Sequence, residues 1–160
     1  PDDVLYKLKE LSKFDIHSIE QPLKKQSPML AELCRTSPIP VALDEELIGI
    51  AVKEEKEKLL REIKPQFIIL KPSLHGGLYG CKEWIELTES NKTGWWITSA
   101  LESNIGLNAI SQFVSDFEIF LPQGLGTGQI YADNFPSPLS VKSGELLYDS
   151  RFQWDITELN

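Results

Sequence analysis

Three ionisable residues of this 160-residue chain stand at matching places in a repeating pattern: Glu20, Asp44 and Lys71. Each closes a short apolar run: Ile16 to Ile19, Pro38 to Leu43 and Phe67 to Leu70. Two carboxylates brought to one place repel, unless a proton or a cation lies between them. Acidic oxygen donors from adjacent elements suit a hard divalent cation such as Mg2+ (or Mn2+), which needs few protein ligands and keeps waters. A lysine one element further on is then available as a base, or as a fixed positive charge facing negative charge that develops in a reaction. The competing reading is a rim of charges that are merely solvated. Recurrence at matching positions weighs against it.

The elements that carry these residues alternate. Helical spacing of apolar residues occurs at Val4, Leu5, Leu8 and Leu11, then from Ser27-Pro28 through Cys34, and at Val52, Leu59, Leu60 and Ile63. It returns at Leu78, Cys81, Ile85 and Thr88, and at Ile105, Leu107, Ile110, Phe113 and Val114. Between these lie the three runs named above, then Trp95 to Ile97, and a last strand over Phe117 to Leu121. The strand ends, at Glu20, Asp44, Lys71, Ser99 and about Leu121, are 24, 27, 28 and 22 residues apart. Short, nearly continuous apolar strands are buried on both faces, which predicts an α/β fold with parallel strands and outer helices. A βα unit repeated at this spacing fits a (β/α) TIM-type barrel or a doubly wound sheet. No GxGxxG follows a strand, which counts against the dinucleotide-binding version. A full barrel takes about 200–250 residues, so the five or six strands here predict a partial barrel, the C-terminal part of a longer chain.

Composition narrows the partners. Sixteen basic against 24 acidic residues leave a net charge of −8, the wrong sign for nucleic acid or an anionic membrane surface. No apolar run approaches the roughly 20 residues of a membrane span. Cys34 and Cys81 stand far apart, outside any CxxC or Cys/His cluster, as in a reducing compartment; a cytoplasmic location is the expectation.

The segments Ile19-Glu20-Gln21-Pro22, Leu43-Asp44-Glu45 and Leu70-Lys71-Pro72-Ser73 resemble the enolase superfamily, in its muconate-lactonizing-like branch. The stretch from Ile97 to Leu107, with its Thr98-Ser99-Ala100-Leu101-Glu102-Ser103, and the loop Gly124-Leu125-Gly126-Thr127-Gly128 are similar to seventh- and eighth-strand motifs of a dehydratase of that branch. The resemblance covers nearly the whole chain and implies strands four to eight of the barrel. It makes Glu20 and Asp44 two of three acidic Mg2+ ligands, at strands four and five, and Lys71 the sixth-strand lysine, a catalytic cation. The third ligand, the base in a Lys-x-Lys pair and an α+β capping domain would all belong to sequence before Pro1. Lys7, Lys9 and Lys13 lie on an amphipathic surface helix and do not replace them.

The implied reaction removes a proton alpha to the carboxylate of a small-molecule substrate and expels a hydroxyl, which aromatises a ring. Ser73, Ser99, Glu102, Gly124, Gly126 and Thr127 match rim positions near that substrate. The Gly124–Gly128 loop reads equally as an anion cradle or a plain turn, and Gly76-Gly77 as a turn. His17 reads as a packed barrel histidine; His75 is better placed but matches no motif. The four tryptophans are read as core or interface residues, and Lys53 to Lys58 as a solvated helix face. Two alternatives remain: a racemase or dipeptide epimerase on the same scaffold, or a non-catalytic α/β interaction domain. Dipeptide epimerases carry Asp-x-Asp where this chain has its Gly-rich loop. The 160 residues alone are expected to be inactive, to bind metal weakly and to associate as homo-oligomers through exposed barrel edges.

Overall fold

In the computed structural model, which describes residues 2–157, the chain forms two compact units that divide between Trp96 and Ile97. The first unit alternates helix and strand: α1 (Asp2–Leu11), β1 (Ile19–Glu20), α2 (Leu30–Thr36), β2 (Val41–Leu43), α3 (Lys53–Ile63), β3 (Phe67–Leu70) and α4 (Gly77–Asn91). It ends in β4 (Gly94–Ile97), whose last residue opens the second unit. The sheet runs in the order β1-β2-β3-β4. β1 pairs parallel with β2, Glu20 opposite Ala42, and β2 pairs parallel with β3, Leu43 opposite Ile68.

This order follows from the sequence. Val41, Ala42, Leu43, Ile68, Ile69 and Leu70 are all essentially inaccessible, as strands covered on both faces must be. A parallel pair needs a crossover, and each amphipathic stretch between strands becomes that helix. α3 ends where Lys64 turns left-handed, just before Pro65, which cannot continue a helix. Beneath α1 and α2, Leu8, Leu33 and Ile39 form a buried cluster with Val4, Leu5, Ile16, Ile19 and Leu23 around it. Trp84 is the largest fully buried side chain. Cys34 and Cys81 are buried and unpaired. No helix among the described residues is long and apolar enough to cross a membrane.

The second unit holds α5 (Asn104–Ser115) and an antiparallel hairpin of β5 (Leu139–Lys142) and β6 (Glu145–Tyr148). The hairpin's Ser143-Gly144 turn has positive φ at both residues, the backbone that matches the strands' right-handed twist.

Three expectations are corrected. The strand over Phe117 to Leu121 does not form; Phe120 is 83% exposed, so an apolar run was not a buried one. The parallel bridge falls instead between Thr98 and Gly124, where a Cβ on residue 124 would lie only 2.4 Å from the Thr98 hydroxyl. His17 is not packed inside: it lies exposed ahead of β1, with its ring against those of Phe67 (4.8 Å) and Trp96 (6.2 Å).

Lys56, assigned to a solvated helix face, is 1% exposed. Its ammonium reaches from α3 to α4, pairing with the Glu83 carboxylate (2.8 Å), donating to the Gly80 carbonyl (3.1 Å) and lying 5.5 Å from the Trp84 ring centre. Removing one partner of such a pair strands the other charge, whereas replacing both with apolar residues is often neutral. Glu83→Leu is therefore expected to destabilise the protein by roughly 2–3 kcal/mol in urea unfolding, and Lys56→Met with Glu83→Leu by much less.

Candidate active site

Glu20 closes β1, and Asp44 and Lys71 directly follow β2 and β3. Because these three strands are parallel neighbours, their carboxyl ends share one edge of the sheet. The structure brings the three side chains together there. The Lys71 ammonium pairs with Asp44 Oδ2. Asp44 is buried, and its other oxygen, Oδ1, has no hydrogen-bond partner. Glu20 as a residue is exposed, yet its carboxyl is pushed above the usual glutamate range. Crowding by protein at its acidic end is the largest cause. The Asp44 carboxylate adds to it, as hydrogen-bond acceptor and as a second negative charge, while Lys71 opposes both.

These observations fit a divalent cation. A buried carboxylate oxygen without a donor is costly, and a cation would satisfy it. The donor set is all oxygen and anionic, as Mg2+ or Mn2+ prefer. Among the described residues no group of three or more His, Cys, Asp or Glu forms a ligand cluster, so the pair would be part of a coordination shell.

Two neighbours, to which the sequence assigns no role, complete the edge. His75 is 2% exposed, and its Nδ1 accepts the Lys71 backbone N–H (2.9 Å). The Leu74 and His75 N–H groups in turn donate to the Lys71 carbonyl (2.8 and 3.0 Å), so the loop after β3 clasps the residue that carries the ammonium. Pro72 and Gly76-Gly77, which bracket this loop, were its legible signal. Burial lowers the His75 pKa to about 4 and keeps the ring neutral, as an Nδ1 acceptor must be. Gln21, next to Glu20, accepts the Asp44 N–H on its side-chain oxygen (3.1 Å). Ser73, on the same loop as His75, is exposed.

The remaining candidates belong to the second unit. Ser99 is buried and its hydroxyl is hydrogen-bonded to that of Thr127, while the Leu101 N–H donates to it (3.1 Å). Glu102 is half-buried just ahead of α5, where a Cβ on Gly106 would come within 2.8 Å of it. The Gly124 N–H donates to the Ile97 carbonyl (2.8 Å) and is not a donor held open for an anion. The Gly126 carbonyl accepts the Gln129 N–H (3.4 Å), which places Gly126 and Thr127 at the start of a short helical turn.

Parallel strands separated by helices, with acids at successive carboxyl ends, define the class. The family model for enolase C-terminal domain-like sequences matches residues 1–151, and the chain belongs to that family. It is 51% identical over 147 residues to an o-succinylbenzoate synthase of Desulfotalea psychrophila, covering 91% of this chain and 40% of that protein. The crystal structure of MenC from the same organism superposes with a TM-score of 0.87 at 50% identity, over 91% of this chain and 41% of that one. The muconate lactonizing enzyme of Pseudomonas putida matches with a TM-score of 0.80 at 18% identity, over 91% and 40% of the two chains, a likeness of fold. The chain thus spans about 40% of the length of the relatives it matches.

The buried imidazole gives a pH signature. Between its ordinary pKa of 6.5 and about 4, the unfolded chain binds a proton that the folded one refuses. Stability should therefore fall as pH falls through this window, and His75 should contribute no slope above it. His75→Asn keeps an acceptor near the Lys71 N–H but cannot titrate. Urea unfolding from pH 7 to 4 should show the wild type losing more stability than the variant, by on the order of 3 kcal/mol at most.

Proposed function

We propose that this chain is part of the barrel of a Mg2+-dependent lyase. The reaction is dehydration of 2-succinyl-6-hydroxy-2,4-cyclohexadiene-1-carboxylate to o-succinylbenzoate, a step of menaquinone biosynthesis. The observation that carries the reading is the state of Asp44: one oxygen on the Lys71 ammonium, the other buried without a donor, and the crowded carboxyl of Glu20 alongside. The likeness to an o-succinylbenzoate synthase supports the choice of substrate.

Glu20 and Asp44 would hold the cation. Bound there, Mg2+ would supply fixed positive charge against the negative charge that grows on the substrate carboxylate as its alpha proton leaves. That proton is far too weakly acidic for an amine base alone, so charge neutralisation must carry most of the barrier reduction. Lys71 adds an ammonium held at a strand end, where little reorganisation is needed as charge develops. The aromatising ring presents a π face that an ammonium also favours. His75, neutral and clasping the Lys71 backbone, steadies that strand end without adding a second cation.

By resemblance, Ser73, Ser99, Glu102, Gly124, Gly126 and Thr127 lie near substrate. The third acidic ligand, the lysine base and the capping domain are assigned to other parts of the whole protein. The 160 residues by themselves would then be inactive, and turnover by the isolated chain would overturn this division of labour.

The test is kinetic and uses the full-length protein. It should form o-succinylbenzoate only with a divalent cation present. Lys71→Ala should lower kcat by about 100-fold or more with the fold retained, and Asp44→Asn should abolish activation by Mg2+. Near-normal turnover in both variants would overturn the assignment.

A further inference from the structure

We infer that Gln21 is a positioning residue for the acidic pair, its side-chain amide setting where Asp44 stands relative to Glu20. The inference rests on the reading of Glu20 and Asp44 as metal donors.

The β1–β2 ladder begins in the ordinary way. The Ile19 N–H donates to the Pro40 carbonyl and the Gln21 N–H to the Ala42 carbonyl, both at 2.8 Å. In an evenly spaced parallel ladder the next bond runs back, from the Asp44 N–H to the main-chain carbonyl of Gln21. Here the Asp44 N–H donates instead to the side-chain carbonyl of the same residue, Gln21 Oε1, at 3.1 Å. The backbone gives the reason. Gln21 has φ of 33°, in the left-handed region that non-glycine residues rarely adopt, and the next residue is Pro22, which has no N–H to offer a ladder. β1 therefore stops at Glu20, and the glutamine side chain carries the pairing one step further.

The amide is used on both sides. Its oxygen also receives the Glu46 N–H (3.4 Å), and its nitrogen donates to the Leu23 carbonyl (3.0 Å) and to Glu46 Oε2 (3.4 Å). Donors face the oxygen and acceptors face the nitrogen, which fixes the orientation of the amide. Glu46 is 6% exposed, and its carboxylate also accepts the Gln26 N–H at 3.1 and 3.0 Å. One amide thus joins the loop after β1 to the loop after β2, beside Glu20 on one and holding Asp44 on the other. Backbone strain at such a place persists only where the surroundings over-determine it. Groups that orient a metal ligand in this way commonly change metal affinity by about 10- to 100-fold when removed.

The fold carries its own control. Gln66 does the same work at the opposite end of β2: its Oε1 accepts the Val41 N–H (2.9 Å) and its Nε2 donates to the Cys34 carbonyl (3.0 Å). Gln66→Met removes an equivalent strand-end bridge away from the carboxylates.

The experiment titrates full-length protein with Mg2+ alone by calorimetry and follows urea unfolding without metal. Gln21→Met should weaken Mg2+ binding about 10- to 100-fold. Gln66→Met should lose comparable stability while binding Mg2+ as the wild type does. Gln21→Glu alone sets a carboxylate against Glu46 and the Leu23 carbonyl; the exchange Gln21→Glu with Glu46→Gln restores the pairing between the two side chains, leaving the Leu23 carbonyl without that donor, and should recover part of the lost affinity. Wild-type affinity in Gln21→Met, or an equal loss in Gln66→Met, overturns the inference. Should Gln21→Met fail to fold, the exchange decides, and no recovery over Gln21→Glu alone overturns the inference. If Glu20→Gln and Asp44→Asn leave wild-type Mg2+ affinity intact, the metal reading itself falls, a result distinct from failure of the Gln21 arm.

Discussion

Two carboxyl groups held side by side are the constraint around which the first unit is organised. Burial first, and then the neighbouring Asp44 carboxylate, hold the Glu20 carboxyl above its ordinary range. Lys71 offsets part of this by pairing with one Asp44 oxygen, and the other is left without a donor. An arrangement of this kind does little for stability, since a buried carboxylate is costly and one lysine satisfies only part of it. It suits the proposed role, in which the two acids would hold a divalent ion and the ammonium would then face substrate charge.

Holding such a pair apart demands a stiff frame. The buried strands β2 and β3 give it rigidity, and the parallel ladder brings the carboxyl ends to one edge. Hydrogen bonds that regular secondary structure does not make complete the frame. The Gln21 amide takes over the ladder where β1 turns away, and the His75 ring returns to the backbone of Lys71. Within the second unit the Gln123 side chain accepts the Ile97 N–H at 2.7 Å, a third use of a glutamine carbonyl in place of a strand's own. Long polar side chains of this kind satisfy backbone donors just where the chain must leave the sheet.

Much of this could be read from the sequence, because apolar periodicity and strand-end charges are local signals. The helices and the strands β2, β3 and β4 fall close to their expected places, and the three ionisable residues meet at one edge as their spacing implied. What stayed hidden depended on tertiary surroundings. Phe117 to Leu121 has the composition of a buried strand, but nothing in composition says whether a partner will cover it. Lys56 lies in a run of charges that looks solvated, and only the packing of α4, with Gly80 opposite, turns it inward. The roles of Gln21 and His75 were illegible for a related reason: each acts by bonding to backbone, which any sequence offers. The hairpin of β5 and β6 is short and only partly buried, so its alternating pattern was faint.

Anomalous scattering measures the gap between the two acids directly. Crystals of the full-length protein grown with Mn2+ should show an anomalous difference peak between the carboxylates of Glu20 and Asp44, with the Lys71 ammonium moved off Asp44. An empty map at that position, with Lys71 still paired to Asp44 at saturating Mn2+, would contradict the account.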